Sequence, residues 1–397
     1  MTDLLTIDAA LGRIVESAQL LPVERLAVAH ALGRVLREPA TAQVDLPPFP
    51  SSAMDGFAVR ASETPAELPV AFRVAAGTPA LEPLPAGAAA GISTGATVPI
   101  GADAVVPVEL VEDRGSHVVI GNAVVAGQHV RPRGGDIRAG ATVAEVGARL
   151  GAAQVGALAA TGVEEVVCSR RPRVAVLATG SELRSAGDVL APGQIYESNR
   201  AMVAAVLSRA NAEVDVLPVV ADDADAHREA IARGLEADVL VTSGGVSMGE
   251  HDLVRRTAAD LGVREIFWGV AVKPGKPLSF GIHERTLVFG LPGNPVSALV
   301  GALVFVTPAL LALQGATNSL PRYGSGVTAT AFRQNPHRDE FVRAIRVDDG
   351  DVVRLEAIVG QESHMISRAA AADALVHVPR GEGALEAGSL VRFLALD

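Results

Sequence analysis

Lysine is almost missing from this sequence. Of its 34 Lys and Arg residues, two are lysine, Lys273 and Lys276, and every other basic residue is arginine. The two ammonium groups flank Pro274 and Gly275 in the loop KPGKP. An ammonium is a compact charge with rotatable donors, whereas a guanidinium is a planar fork. A chain that otherwise uses arginine, yet puts both lysines in one Pro/Gly loop, is predicted to bind a phosphate or another oxyanion there. Cysteine is scarcer still. The lone Cys168 permits no intramolecular disulfide, which suits a reducing compartment, and it reads as a core thiol. The nine histidines show no HxH or HxxxH pairing and there is no CxxC, so no zinc site is indicated.

Other signatures are missing too. No GxxxxGK[ST] and no GxGxxG opening the first β-α turn is present, which disfavours a P-loop nucleotidase and a dinucleotide dehydrogenase. Ser247 lies in GGVSMG rather than in a G-x-S-x-G elbow, and is not read as a nucleophile. The first residues, MTDLLTIDAALGR, lack the basic and apolar regions of a signal peptide. The longest apolar run, 298–313, is shorter than the roughly 20 residues that span a bilayer. It also contains Pro308, so a buried helix is expected.

What is present describes a multidomain globular protein. The 397 residues suggest two to four domains at about 150 residues each. Hydrophobic residues at 49% supply real cores, and a net charge of −11 argues against a general nucleic-acid or anionic-membrane binder. Residues 7–20 and 22–36 are predicted as two amphipathic helices from their apolar spacing. From about 60 to 140, short β-like runs alternate with Gly and Pro, which predicts a small β module. A helix is expected over 151–162, and the region of Pro172 reads as a linker. From Arg173 to about 315 strands and helices alternate, predicting a parallel sheet with helices on both faces. The tail from about 321 returns to short strands.

In such a sheet, ligands bind beyond the carboxyl ends of the strands. Four polar loops fall there: Thr179-Gly180-Ser181-Glu182, the stretch Ser243-Gly244-Gly245 to Asp252, Lys273 to Lys276, and Pro292-Gly293-Asn294-Pro295. Glycines let backbone N–H groups approach an anion, and the following helix turns its positive end toward it. Glu182, Asp222 and Asp252 are candidate Mg²⁺ ligands, because that ion combines carboxylates with substrate phosphates. Each alone reads as a helix cap or a solvated charge rather than as a ligand. A cleft that gathers them beside two lysines is the functional reading.

SSAMDGFAV, STGATVPIGADAVVPVE, RPRGGDIRAG, VAVLATGSEL, TSGGVSMGEHD, KPGKPLSFG and LPGNPVSALV follow one another in this order. The series resembles the MoeA family of molybdopterin molybdenumtransferases, whose eukaryotic counterpart is the gephyrin E domain, over essentially the whole chain. The resemblance implies an elongated homodimer. A discontinuous helical domain would take 1–42 and 141–171, an inserted β domain 43–140, an α/β domain 172–320 and a C-terminal β domain 321–397. The α/β domain would resemble the molybdopterin adenylyltransferase, a transient partner. The implied reaction inserts molybdenum from molybdate into adenylylated molybdopterin, with Mg²⁺-dependent release of AMP, in the cytoplasm and with no nucleic acid or membrane involved. The alternative is a paralogous molybdopterin-binding scaffold with altered or no turnover. The implied cleft lies between the α/β and C-terminal domains of one subunit and the β module of the other.

Carried over by position, Asp55 and Thr94 match family residues on the β module. Glu182, Asp222 and Asp252 match acidic cleft positions, Lys273 and Lys276 the cleft lysines, and Pro292 and Pro295 the loop prolines. Arg343 and Ser363 match ligand positions of the last domain. Pro50-Ser51 in place of the usual Asp-Asn, Phe57 in place of a frequent Tyr and Glu250 in place of a frequent Asp are departures.

Overall fold

Continuous runs of Val, Leu and Ala build a sheet buried on both faces. The computed structural model describes residues 4–221, 223–245, 253–350 and 352–396. Its central sheet runs, edge to edge, Glu213–Val216, Arg173–Ala178, Val239–Ser243, Thr286–Leu291, Ser279–His283 and Arg264–Trp268. The first four strands are parallel. Side chains alternate across the sheet. Val174 and Val176 join a core with Val203 and Leu207 of the helix Asn199–Arg209 and with the helix that begins at Pro295. Ala175 and Leu177 join the opposite core with Ile231 and Val254 of the helices Ala224–Gly234 and Leu253–Asp260. The expected α/β layering, with helices on both faces, is therefore present.

The sheet departs from all-parallel at Ser279–His283, which is antiparallel to both neighbours. Only Glu284 and Arg285 separate it from Thr286–Leu291, with Glu284 at a φ of 51°. Two residues can turn a hairpin but cannot make the crossover that a parallel partner needs.

Two further differences concern the N-terminal segment. Ile7–Ser17 is a helix, capped by the Thr6 hydroxyl accepting from the Ala9 N–H at 3.1 Å. Its buried stripe of Ile7, Ala10, Leu11 and Ile14 lies in the core of the α/β sheet, not in the separate core of Val28, Ala31, Leu36 and Ala40. The second expected helix, 22–36, does not form. Val23–Ala27 is a strand antiparallel to Glu165–Ser169, followed by a single 3₁₀ turn at Val28–His30. Gly33 at φ +76° stops a helix, and the edge of Glu165–Ser169 takes up the backbone polar groups instead. Val28 and Val35 are still buried, as their spacing implied, but Leu32 is 62% exposed.

Between these segments, a six-stranded sheet spans Gly56–Val59 to His117–Ile120 with an apolar core on each side. After residue 320 the chain forms a second β assembly. One of its strands comes from outside the tail: Val272–Lys273 pairs parallel with Asp339 and Glu340. The apolar run becomes the buried helix expected of it. Pro295–Leu313 is long and apolar enough to cross a membrane, with a mean hydropathy of 2.3, but 72% of that window is buried inside the protein.

Asp238 ties the Pro172 region to the sheet. It accepts two 2.6 Å bonds from the Arg170 guanidinium and one of 2.8 Å from the Arg173 N–H. Burial pushes this carboxyl up, but the Arg170 and Arg173 bonds outweigh it and hold the group below its ordinary 3.8. A depressed folded value contributes stability above the unfolded pKa and loses it as acid protonates the group. Asp238→Ala is expected to lower stability by about 2–3 kcal/mol at pH 7. Urea unfolding of both proteins should show that difference shrinking toward pH 3.

Candidate active site

Parallel register aligns three strand ends in one row. Ala178 pairs with Ser243, and Ser243 with Leu291. The loops leaving them are stitched together, with the Thr179 N–H donating to the Ser243 carbonyl at 3.2 Å and the Gly244 N–H to the Leu291 carbonyl at 3.1 Å. Gly244 sits at φ +96°, and a Cβ there would stand 2.8 Å from the Thr179 carbonyl oxygen, so only glycine permits this approach. Together the loops floor a cleft of about 760 Å³ that includes Gly180, Glu182, Ser243, Gly245, Pro292 and Gly293.

Asn199 ties two of these loops together. Its amide Nδ2 donates to Ser243 Oγ at 2.8 Å and to the Gly293 carbonyl at 2.7 Å, clamping two loops from beneath. Ser198 holds the cap position without a side-chain hydrogen bond. The Gly293-Asn294-Pro295 loop leads into a helix with Pro at its first turn, where the missing N–H costs nothing.

The C-terminal region reaches the same cleft. Asn294 Nδ2 donates to Ser363 Oγ at 2.9 Å, and the Val296 N–H to the Ser363 carbonyl at 3.0 Å. His364, which sequence reasoning overlooked, lines the cleft beside them. Arg343 is 1% exposed and spends its guanidinium on the chain. It donates to the carbonyls of Gly360, Glu362 and Met365 and to Gln361 Oε1, bracing the loop that carries Ser363. Burial lowers its pKa, and Glu362 opposes that shift.

The other candidates are dispersed. Asp55 Oδ1 accepts from the Thr94 N–H at 2.8 Å, so the β module brings these two residues together. Asp55 lines a separate cavity of about 290 Å³, which shares no lining residue with the cleft. The KPGKP loop enters the cleft through Pro277, while Lys276 is exposed next to it. Lys273 Nζ pairs with Glu340 Oε1 at 2.9 Å, and the pair borders a cavity of about 420 Å³ in the C-terminal assembly. Ser181 is exposed, with its carbonyl accepting from Arg184. Asp222, Ser247 and Asp252 lie outside the described residues. Among the described residues no three His, Cys, Asp or Glu side chains group as metal ligands. Glu197, also in the cleft wall, is held by Arg200, whereas Glu182 has no ion-pair partner among the described residues. Cys168 is buried, and burial pushes its thiol up to about 11, so it is no nucleophile.

An α/β body with glycine- and proline-rich loops at its strand ends, closed by a second β assembly, defines a multidomain enzyme with an interdomain cleft. Comparison with known proteins narrows this class. The profile of the MoeA N-terminal region (domain I and II) matches residues 5–162, that of a probable molybdopterin binding domain 175–312, and that of the MoeA C-terminal region (domain IV) 325–396. The chain is 34% identical over 395 residues to the molybdopterin molybdenumtransferase of Haemophilus influenzae, covering 98% of each. It is 37% identical over 375 residues to molybdopterin molybdenumtransferase 2 of Mycobacterium tuberculosis, covering 91% of this chain and 92% of that one. The solved molybdopterin biosynthesis MoeA protein of Pyrococcus horikoshii superposes with a TM-score of 0.81 at 27% identity, over 98% of this chain and 99% of that one. The chain belongs to the MoeA family of molybdopterin molybdenumtransferases, enzymes of molybdenum cofactor biosynthesis.

Asn199→Ala would leave the Gly293 carbonyl without this donor and Ser243 Oγ with a 3.5 Å bond to the Pro292 carbonyl in place of its 2.8 Å partner. We expect it to cost about 1–3 kcal/mol, the usual penalty for a buried polar group left unpaired. Thermal unfolding should register the loss, and proteolysis of the folded protein should accelerate at the 243–253 and 291–295 loops. An unchanged melting temperature would show that the clamp carries no load.

Proposed function

We propose that this enzyme inserts molybdenum from molybdate into adenylylated molybdopterin, with Mg²⁺-dependent release of AMP. One observation carries the reading: three aligned strand ends open into a single cleft, within the region matched by the molybdopterin-binding profile. Both substrates present oxyanions. The backbone N–H groups of Gly245 and Gly293, and the start of the helix at Pro295, offer the partial positive charge to receive them. Lys276 stands at the mouth of the cleft, and Lys273 next to the C-terminal assembly, in the same loop. Sulfur ligands for molybdenum belong to the substrate, so the buried Cys168 has no part.

The residues fit a Mg²⁺ ion of the kind held by one or two carboxylates with substrate phosphates. Glu182 faces the cleft with no ion-pair partner among the described residues, and Asp222 and Asp252 are the further proposed ligands. Bound there, Mg²⁺ would polarise the pyrophosphate linkage. Asp55 and Thr94 complete the site in our reading from the β module of a second subunit of a homodimer, since the Asp55 cavity is separate from the cleft. We place the enzyme in the cytoplasm, receiving its substrate from the adenylyltransferase.

Lys276→Ala and Asp55→Asn should each fold normally and lose about ten- to a hundredfold in molybdate-dependent AMP release, the size of a lost charge-assisted bond. Wild-type turnover by both would remove these residues from the site. Mixing the two inactive variants tests the shared site. Random reassortment of symmetric dimers would restore about a quarter of wild-type turnover, because half the dimers regain one intact site. No recovery in verified mixed dimers would mean that Asp55 and Lys276 serve the same subunit's site.

A further inference from the structure

The cleft has an apolar wall that its oxyanion-binding loops do not explain. Beyond the first strand end the chain doubles back as a short ribbon, with Leu183–Arg184 pairing parallel to Ile195–Tyr196. The Ile195 N–H donates to the Glu182 carbonyl at 3.0 Å, and the Glu197 N–H to the Arg184 carbonyl at 2.9 Å. Leu183, Ile195 and Tyr196 thereby line the same cleft as Gly245 and Gly293. A phosphate has no use for such a surface, because apolar burial stabilises apolar ligand atoms.

Tyr196 is held firmly in this wall. Its hydroxyl donates to the Asp188 carbonyl at 2.8 Å, within the loop that joins the two ribbon strands. Two further turns close that loop: the Ser185 N–H donates to Asp188 Oδ2 at 3.0 Å, and the Ala191 N–H to Gln194 Oε1 at 3.0 Å. On the other side the Glu197 side chain, 4% exposed, pairs with Arg200 at 2.9 Å. Fixed at its backbone and at its hydroxyl, Tyr196 is still 48% exposed. Aromatic residues are 3% of this chain, and the one other tyrosine, Tyr323, packs against His377 and Arg392. An anchored ring left open in the cleft of an aromatic-poor protein is a binding surface, and it loses little freedom when a ligand arrives.

We propose that Tyr196 positions the substrate by a planar fused heterocycle laid on its ring between Leu183 and Ile195, while the phosphates lie on the glycine loops. The inference rests on the reading above, in which the substrate is adenylylated molybdopterin. That molecule carries two such heterocycles, a pterin and an adenine, and a tyrosine ring stacks on either through its π face. The contact sorts ligands in a way the oxyanion donors cannot, because a molecule with phosphates and no ring forgoes it. Tyr196 takes no part in making or breaking bonds. It is a positioning residue, so its loss falls on affinity rather than on the chemical step.

The test titrates the full chain, as wild type, Tyr196→Leu and Tyr196→Phe, with molybdopterin, AMP and inorganic pyrophosphate in a calorimeter. Tyr196→Leu should weaken whichever of molybdopterin and AMP lays its ring there by about tenfold, the size of a lost stacking contact. Pyrophosphate, which has no ring, should bind the variant as it binds the wild type. Tyr196→Phe keeps the ring and loses only the Asp188 tether, so it should recover the larger part of the loss. In turnover the Leu variant should raise KM for adenylylated molybdopterin more than it lowers kcat. Unaltered binding of both ring ligands to Tyr196→Leu, equal weakening of all three, or a Phe variant as weak as the Leu variant would each overturn the proposal. A second measurement needs no variant: the bound ring ligand, and not pyrophosphate, should shield wild-type Tyr196 from nitration by tetranitromethane, and equal nitration with and without it would also overturn the proposal. Ring-dependent binding without molybdate-dependent AMP release would support the Tyr196 contact and overturn only the reaction.

Discussion

Everything at the candidate active site depends on the register of three neighbouring strands. Because Ala178, Ser243 and Leu291 end in one row, their loops leave the sheet at the same height and bond to one another. The row alone would leave three mobile loops. Asn199 clamps two of them, and Gly244 lets the first two come within a contact that a Cβ would forbid. Backbone donors are thus held in place before any ligand arrives, which is how a site avoids reorganising during reaction.

The second constraint is the joint between the α/β body and the C-terminal assembly. It is built from backbone pairing rather than from surface contact alone. Val272–Lys273 is a strand of the C-terminal sheet, although it lies well before that region in sequence. The loop holding both lysines is therefore positioned by two cores at once. On the other side, the Arg343 brace presents Ser363 to Asn294. A buried arginine used in this manner is costly to desolvate and demands full pairing, which its carbonyl partners supply.

Much of this was readable in advance for reasons that are local. Runs such as VAVLA and VLVTS are apolar on both faces, as the strands of a parallel sheet covered by helices are. Glycine and proline loops after them mark the ligand side of the sheet, and the chain's two lysines pointed to one of those loops. The second helix failed because Leu26, Val28 and Val35 satisfy helical spacing while Gly33 and the open edge at Glu165–Ser169 favour extended chain. Propensity is a weak prior where a partner strand is waiting.

By itself, then, the sequence determined which segments are buried, where the chain turns and which loops carry polar and cationic groups, since these follow from side-chain pattern and backbone sterics. Tertiary structure alone decided that the first helix would pack on the α/β sheet, that Asn199 would clamp two loops, and that Arg343 would brace a loop. It also decided that Lys273 would face Glu340. Each is a contact between residues far apart in the chain, and no local pattern encodes which distant partner a side chain will find.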